Sequence, residues 1–237
     1  VCSVSAPPGG VPETEEVAGA LDDMKREGSP AQALFATHVD TSTGVLTDVP
    51  ALAKMARAAG ALSVVDGVCA VGGEALRMAA WDVDVALTAS QKALGVPPGL
   101  ALLMARPRAL ELFRGRTRPV SSYYADWSNW LPIMQAYQAR KPAYFGTPAV
   151  NLALALDVSL TQIIAEGMEA RTARHARLSE AFKAALTALG LSQLPLRPDV
   201  AAHTMSAAYY PAGVDGAELL SKINAAGVIL AGGLHPA

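Results

Sequence analysis

The chain has 237 residues, a formal net charge of −2, 51% hydrophobic residues and 17% charged residues. That length can bury a substantial core, and the composition is that of a globular chain rather than a disordered one. Near-neutral charge gives no electrostatic reason to expect nucleic acid or a membrane surface as partner, and no apolar run approaches the length of a membrane span.

Residues 1–10 contain no basic region followed by an apolar stretch, so no secretory or transit signal is expected. The chain opens directly on an apolar, strand-like stretch, which leads us to expect further sequence upstream. Residues 11–28 read as a helix: Leu21 and Met24 follow Val17 at helical spacing, and Glu13, Glu15 and Glu16 sit in the first turn, where the helix dipole favours acids. A strand-length apolar run follows at 31–38, ended by the polar loop 40–44. Asp48 and Pro50 start a second helix, with Leu52, Met55, Ala56 and Ala59 on its apolar face and Gly60 at its end. Residues 61–66 form a buried strand that finishes on Asp66, residues 74–80 a short helix, and residues 83–89 a third strand leading into Ser90, Gln91 and Lys92. A fourth strand is expected at 100–105. This alternation predicts an α/β domain with a largely parallel sheet, in which ligands collect at the C-terminal strand ends.

Pro107 starts a helix over 106–116, whereas 117–148 is rich in aromatics and prolines and has no clear period. Residues 148–190 read as nearly continuous helix broken near Gly167, with an apolar stripe through Leu154, Val158, Ile163, Ile164, Leu178, Phe182 and Leu186. A strand at 204–210, a helix at 215–226 capped by Asp215 and a strand at 228–231 complete the pattern, and residues 232–237 break off after that strand. We therefore expect a large domain over 1–165, incomplete at its start, and a truncated C-terminal α+β small domain over 166–237.

The polar residues of interest fall at strand ends. Asp66 and the Ser90-Gln91-Lys92 run end neighbouring strands, an arrangement suited to chemistry that needs an amine and a carboxylate at one site. Spacing alone leaves Asp66 open as a helix cap and Lys92 as a solvated lysine. Ser42-Thr43-Gly44 could contact a phosphate or simply turn the chain, and residues 96–99 (Val-Pro-Pro-Gly) mark a sharp turn. His38 reads as a hydrogen-bonded structural residue, Trp81 as core, Trp127 and Trp130 as interface or loop anchors, and Cys69 as a small buried hydrophobe. Arg171, Arg174 and Arg177 read as a solvated helix face. The two cysteines, Cys2 and Cys69, make no disulfide framework, and no cluster has metal-ligand spacing.

Taken in order, several motifs resemble the class V aminotransferases, which depend on pyridoxal phosphate (PLP). They are Thr41-Ser42-Thr43-Gly44-Val45 after His38 and Asp40, the acid strand end at Asp66 with its glycine turn to Gly73, and Ser90-Gln91-Lys92 with the Pro97-Pro98-Gly99 turn. Tyr144 to Pro148 and the Gly232-Gly233 segment continue the match. The alanine–glyoxylate and serine–pyruvate aminotransferases are the branch it most resembles. The resemblance implies PLP fold type I and transfer of an amino group from alanine or serine to glyoxylate. Other class V donors, such as a phosphonate or ureidoglycine, are the alternative, as is a truncated, non-catalytic dimerising paralogue.

Residue by residue, the resemblance implies that Lys92 forms the internal aldimine and shuttles the proton, Asp66 pairs with the pyridine nitrogen, and Val68 packs on the ring. It puts Ser42 near the phenolic oxygen and Gln91 on the phosphate. Tyr144 and Thr147 match residues that reach the phosphate of a neighbouring subunit, so a homodimer with shared sites is implied. The substrates would be a small amino acid and a 2-oxo acid, in an intracellular compartment (cytosol, peroxisome or mitochondrion). The family's glycine-containing phosphate loop, its ring-stacking aromatic and its carboxylate-gripping arginine have no counterpart in 1–237, which leads us to expect a fragment or a truncated paralogue.

Overall fold

The computed structural model describes residues 1–235, so the last two positions of the expected small domain lie outside the described residues. Four strands, β1 (Ala33–Thr37), β2 (Leu62–Asp66), β3 (Val85–Ala89) and β4 (Ala101–Ala105), make one sheet in the order β1-β2-β3-β4. β1, β2 and β3 run parallel, and β4 is antiparallel to β3. A parallel crossover is normally carried by a helix packed across one face of the sheet, whereas residues 90–100 between β3 and β4 form turns and no helix, and the chain folds back beside β3. The sheet is thus mixed and mostly parallel, as the motif order predicts, and the fold is the α/β fold type I.

Ahead of the sheet lies α1 (Thr14–Arg26), where the Glu16 side chain accepts from the Glu13 N–H at 3.3 Å and so satisfies one of the donors a helix start leaves open. The crossover from β1 to β2 is α2 (Val49–Ala58). Asp48 accepts from Ala51 N–H at 3.1 Å, and Gly60, at φ 77°, ends the turn that follows. α2 packs Val49 and Ala53 against Val65 and Ala86 of the sheet and against Val83 just ahead of β3; Ala56 is buried as well, while Leu52 and Met55 are half-buried. Trp81 packs against this cluster, as expected of a core residue.

The short helix expected over 74–80 does not form; the segment is a series of turns. Tertiary demands override its local preference. The Glu74 carboxylate is taken up by the backbone N–H groups of His203 and Thr204, Leu76, Met78 and Trp81 reach for the core, and Asp82 sits at φ 57°.

After β4 come α3 (Pro107–Arg114), α4 (Trp127–Gln138), α5 (Val150–Glu166), α6 (Met168–Ala188), a 3-10 turn (Pro198–Val200) and α7 (Gly216–Ala225). α4 was not foreseen: it carries Pro132 inside it, has no buried residue, and is started by Asp126, which accepts from Ser128 N–H at 2.9 Å. Aromatic contacts hold this region, Trp127 against Phe113 and Trp130 against Tyr124 and Phe145. The long helical run does break at Gly167, whose φ of 81° turns α6 by 87° from α5. Among the described residues no single helix is long and apolar enough to cross a membrane.

The strands expected at 204–210 and 228–231 are absent from the described residues. A strand exists only with a partner ladder. Ala208 makes an isolated bridge to Gln193, and Val228, Ile229 and Leu230 stand exposed.

Candidate active site

Asp66 is the last residue of β2, in register with Thr37 of β1 on one side and Leu87 of β3 on the other. Parallel strands deliver their following loops to the same edge, so residues 40–44, 67–73 and 90–100 gather there. Asp66 is half-buried. Its Oδ1 accepts from Val68 N–H at 2.9 Å, which fixes the plane of the carboxylate, and Oδ2 has no hydrogen-bond partner among the described residues. The turn after it is pressed onto β3: Gly67 N–H donates to the Leu87 carbonyl at 2.8 Å, and the Thr88 hydroxyl donates to the Gly67 carbonyl at 3.3 Å. A Cβ at Gly67 would lie 2.6 Å from Val71 Cγ2, so the turn is as tight as glycine permits.

Lys92 stands on the loop from β3 to β4, and Ser90 closes that loop. Fully buried, Ser90 donates its hydroxyl to the Pro97 carbonyl at 2.7 Å and accepts from Leu100 N–H at 3.2 Å, while Val96 N–H donates to the Ser90 carbonyl at 3.0 Å. The Lys92 carbonyl accepts from Gly95 N–H at 2.9 Å. Above this frame the Lys92 side chain is exposed, and among the described residues its amine makes no hydrogen bond or ion pair; Gln91 is exposed beside it. Asp66 and the loop that carries Lys92 thus follow adjacent parallel strands at one edge of the sheet.

Ser42 is also at this edge, but its hydroxyl is already engaged. It donates to Asp40 Oδ1 and Oδ2 at 2.9 and 2.8 Å, and Thr43 Oγ1 donates to Oδ2 at 2.6 Å. Burial opposes ionisation of Asp40, yet the bonds from Thr43 and Ser42 outweigh it and hold its carboxyl below the usual range. Thr41 Oγ1 and Cys69 Sγ share a 2.8 Å hydrogen bond that ties the loop after β1 to the loop after β2. Cys69 is buried as expected, but as a polar tie and not only as a small hydrophobe. His38 is 3% exposed, and its backbone N–H donates to the Asp66 carbonyl at 2.8 Å. It is thus buried and hydrogen-bonded through its backbone, while among the described residues its ring Nδ1 has no hydrogen-bond partner.

Tyr144 and Thr147 are on a different segment from these loops. Both are exposed in the segment between α4 and α5, where Phe145 packs against Tyr123, Tyr124 and Trp130. Nothing within the described chain joins them to Lys92 by a hydrogen bond. A cleft of about 1560 Å³ runs between the N-terminal segment, β1 and the loop that carries Ser42. Ser42, Asp40 and His38 line it, but Asp66, Gln91 and Lys92 do not, and neither does any other lysine. Asp66 and Lys92 thus lie at the strand ends, outside the lining of that cleft.

Arg171 and Arg174 of α6 correct the sequence reading, whereas Arg177 is exposed as expected. Arg171 is not solvated. Its side chain is 15% exposed and donates from Nε to the Gly72 carbonyl at 2.6 Å, from Nη2 to the Ala93 carbonyl at 2.7 Å and from Nη1 to Glu166 Oε2 at 2.9 Å. Arg174 donates only to Glu166, at 2.6 and 3.0 Å. The bond from Arg174 is the largest influence; burial opposes it, and the bond from Arg171 with the charges of both arginines adds to it, so that the Glu166 carboxyl is held down to about 2. An acid one residue before the helix-breaking glycine was the only available signal, since helical spacing alone cannot tell a solvated arginine from a clamped one.

The family profile described as aminotransferase class-V matches residues 11–237. The chain is 38% identical over 209 residues to alanine–glyoxylate aminotransferase 1 of Saccharomyces cerevisiae, covering 86% of this chain and 54% of that protein. It is 34% identical to the serine–glyoxylate aminotransferase of Arabidopsis thaliana, covering 83% and 48%. Among solved structures, an alanine–glyoxylate aminotransferase from Nostoc sp. superposes with a TM-score of 0.87 at 30% identity, covering 98% of this chain and 59% of that one. The chain thus spans about half the length of the curated relatives it matches.

Proposed function

The chain belongs to the class V aminotransferases, and from that premise we propose that it supplies the cofactor lysine and acid of a PLP-dependent transaminase moving an amino group from alanine or serine to glyoxylate. The single observation that carries this is the free amine of Lys92 at the same sheet edge as an Asp66 whose Oδ2 is left without a partner.

The donor set fits the cofactor. A carboxylate with one oxygen pinned by Val68 N–H keeps the other oriented toward a ring nitrogen, and an amine without an ion-pair partner is available to a carbonyl carbon. When bound, PLP supplies an electron sink for the substrate α-carbon. In this reading Asp66 holds the proton on the pyridine nitrogen, half-buried Val68 covers the ring face, and Gln91 contacts the phosphate. Lys92 Nζ would hold the cofactor and would be the base placed to take the α-carbon proton. Tyr144, 73% exposed, and Thr147 would reach the phosphate of a second copy, which makes a homodimer part of the proposal. The Ser42 hydroxyl, to serve the ring oxygen, must turn from Asp40.

Glyoxylate as acceptor is supported by the names of the relatives, which share that acceptor while differing in donor. A steady-state assay of the protein carrying this chain, with glyoxylate against alanine, serine, ureidoglycine and an aminophosphonate, tests it. Turnover with alanine or serine is expected. Turnover confined to another donor would replace the substrate pair, and none with any donor would remove the activity.

A further inference from the structure

We infer that Arg171 is a positioning residue, a three-pronged clamp that sets the loop bearing Lys92 against the loop that follows Asp66. The inference rests on the proposed role of those two residues. Three groups of one guanidinium act at once: Nε holds the carbonyl of Gly72, in the glycine turn after Asp66; Nη2 holds the carbonyl of Ala93, the residue next to Lys92; and Nη1 is anchored by Glu166 at the end of α5. A planar fork can span two carbonyls that a point-like ammonium cannot.

Packing independently shows that the two loops are fitted to each other. Gly72 has φ 94°, and a Cβ there would lie 3.3 Å from the Ala93 carbonyl carbon and 3.3 Å from Leu94 Cδ2. A Cβ at Gly73 would lie 3.5 Å from Ala93 Cβ. The glycine turn thus presses its backbone onto Ala93, and the guanidinium closes the contact from outside. On α5, the Ser159 hydroxyl donates to the Leu94 carbonyl, one residue further along. The helical pair α5–α6 therefore grips the Lys92 loop through both of its members. Because Ala93 directly follows Lys92, moving its carbonyl moves the base of the lysine side chain. An error of about 1 Å at a reacting group can cost on the order of a hundredfold in rate.

Arg174 is a built-in control. It shares the same helix and the same Glu166 but touches neither loop. Three variants in the protein carrying this chain separate a clamp from ordinary stabilisation: Arg171→Met, Arg171→Lys and Arg174→Met. Two readouts are used, PLP affinity with the pH midpoint of the bound cofactor's visible band, and amide hydrogen exchange measured without cofactor. In Arg171→Met, exchange at 67–73 and at 91–96 should rise together, PLP should bind about tenfold more weakly, and the midpoint should move. Arg171→Lys keeps the charge and should remain impaired, while Arg174→Met should leave both loops and the midpoint as they are. Unchanged exchange and midpoint in both Arg171 variants would overturn the inference, as would equal effects from Arg174→Met. If the unaltered protein binds no PLP yet the exchange pattern is as described, the clamp stands and the transaminase reading is what fails.

Discussion

Asp66 of β2 and Leu87 of β3 are register partners on parallel strands, so the acid and the exit that leads to Lys92 leave the sheet side by side. Asp66→Asn keeps an oxygen for Val68 N–H but removes the charge that would hold a proton on the pyridine nitrogen. PLP affinity and kcat should each fall, by roughly ten- to a hundredfold, the size of one charge-assisted hydrogen bond. Cofactor titration and steady-state kinetics check this, and equal kcat would count against the pyridinium role.

Ser90 is 0% exposed and serves both ends of the loop that carries Lys92, through Pro97 and Leu100. Ser90→Ala leaves the Pro97 carbonyl and the Leu100 N–H without their shared partner, at a cost of about 1 kcal/mol. Denaturant melts should show that loss, and the rate of borohydride fixation of PLP should drop with it, since the lysine's platform is what loosens.

Arg108 offers the opposite case. Its guanidinium pairs with Asp84, which is 2% exposed, at 2.6 Å, and also holds the carbonyls of Ala61 and Gly60. These groups lie where β2 and β3 begin, at the end of the sheet away from the candidate site. Arg108→Met leaves a buried carboxylate with only Ser63 as partner, so stability should fall by about 3 kcal/mol. PLP affinity in the folded protein should not change, and a parallel loss of affinity would mean that the two ends of the sheet are coupled.

Burial lowers the pKa of His38 below its ordinary 6.5, the charge of Glu74 opposing, and burial also lowers that of His175, with Arg174 and Arg171 adding to the effect. The unfolded chain therefore takes up protons below about pH 6.5 that the folded rings refuse. Stability should be full above that pH and fall as pH drops through it, until the rings protonate in the folded state. His38→Gln should flatten the decline in melting temperature between about pH 7 and pH 5. An unchanged slope would assign the acid sensitivity to other groups.

The sheet was legible in the sequence because each of its strands is a short apolar run bounded by turn residues, and Asp66 and Lys92 stood out because they end such runs. What stayed hidden depended on partners distant in the chain. The turns at 74–82 form because Glu74 is claimed by His203 and Thr204, far along the sequence. The runs at 204–210 and 228–231 have strand composition but no ladder to join. α4 was masked by Pro132 and by aromatics that pack on a loop instead of tracing a helical stripe. Arg171 shares its spacing with Arg174, and only the fold distinguishes the clamp from its neighbour.

Peptide mapping of the protein after incubation with PLP and reduction with borohydride addresses the amine directly. The reduced cofactor should be found on the peptide containing Lys92 and disappear in Lys92→Ala, a change at an exposed side chain that should leave the melting temperature nearly unaltered. Stoichiometric label on another lysine, such as Lys183, whose amine is held by the carbonyls of Ala201 and Ala202, or no label at all, would contradict the assignment.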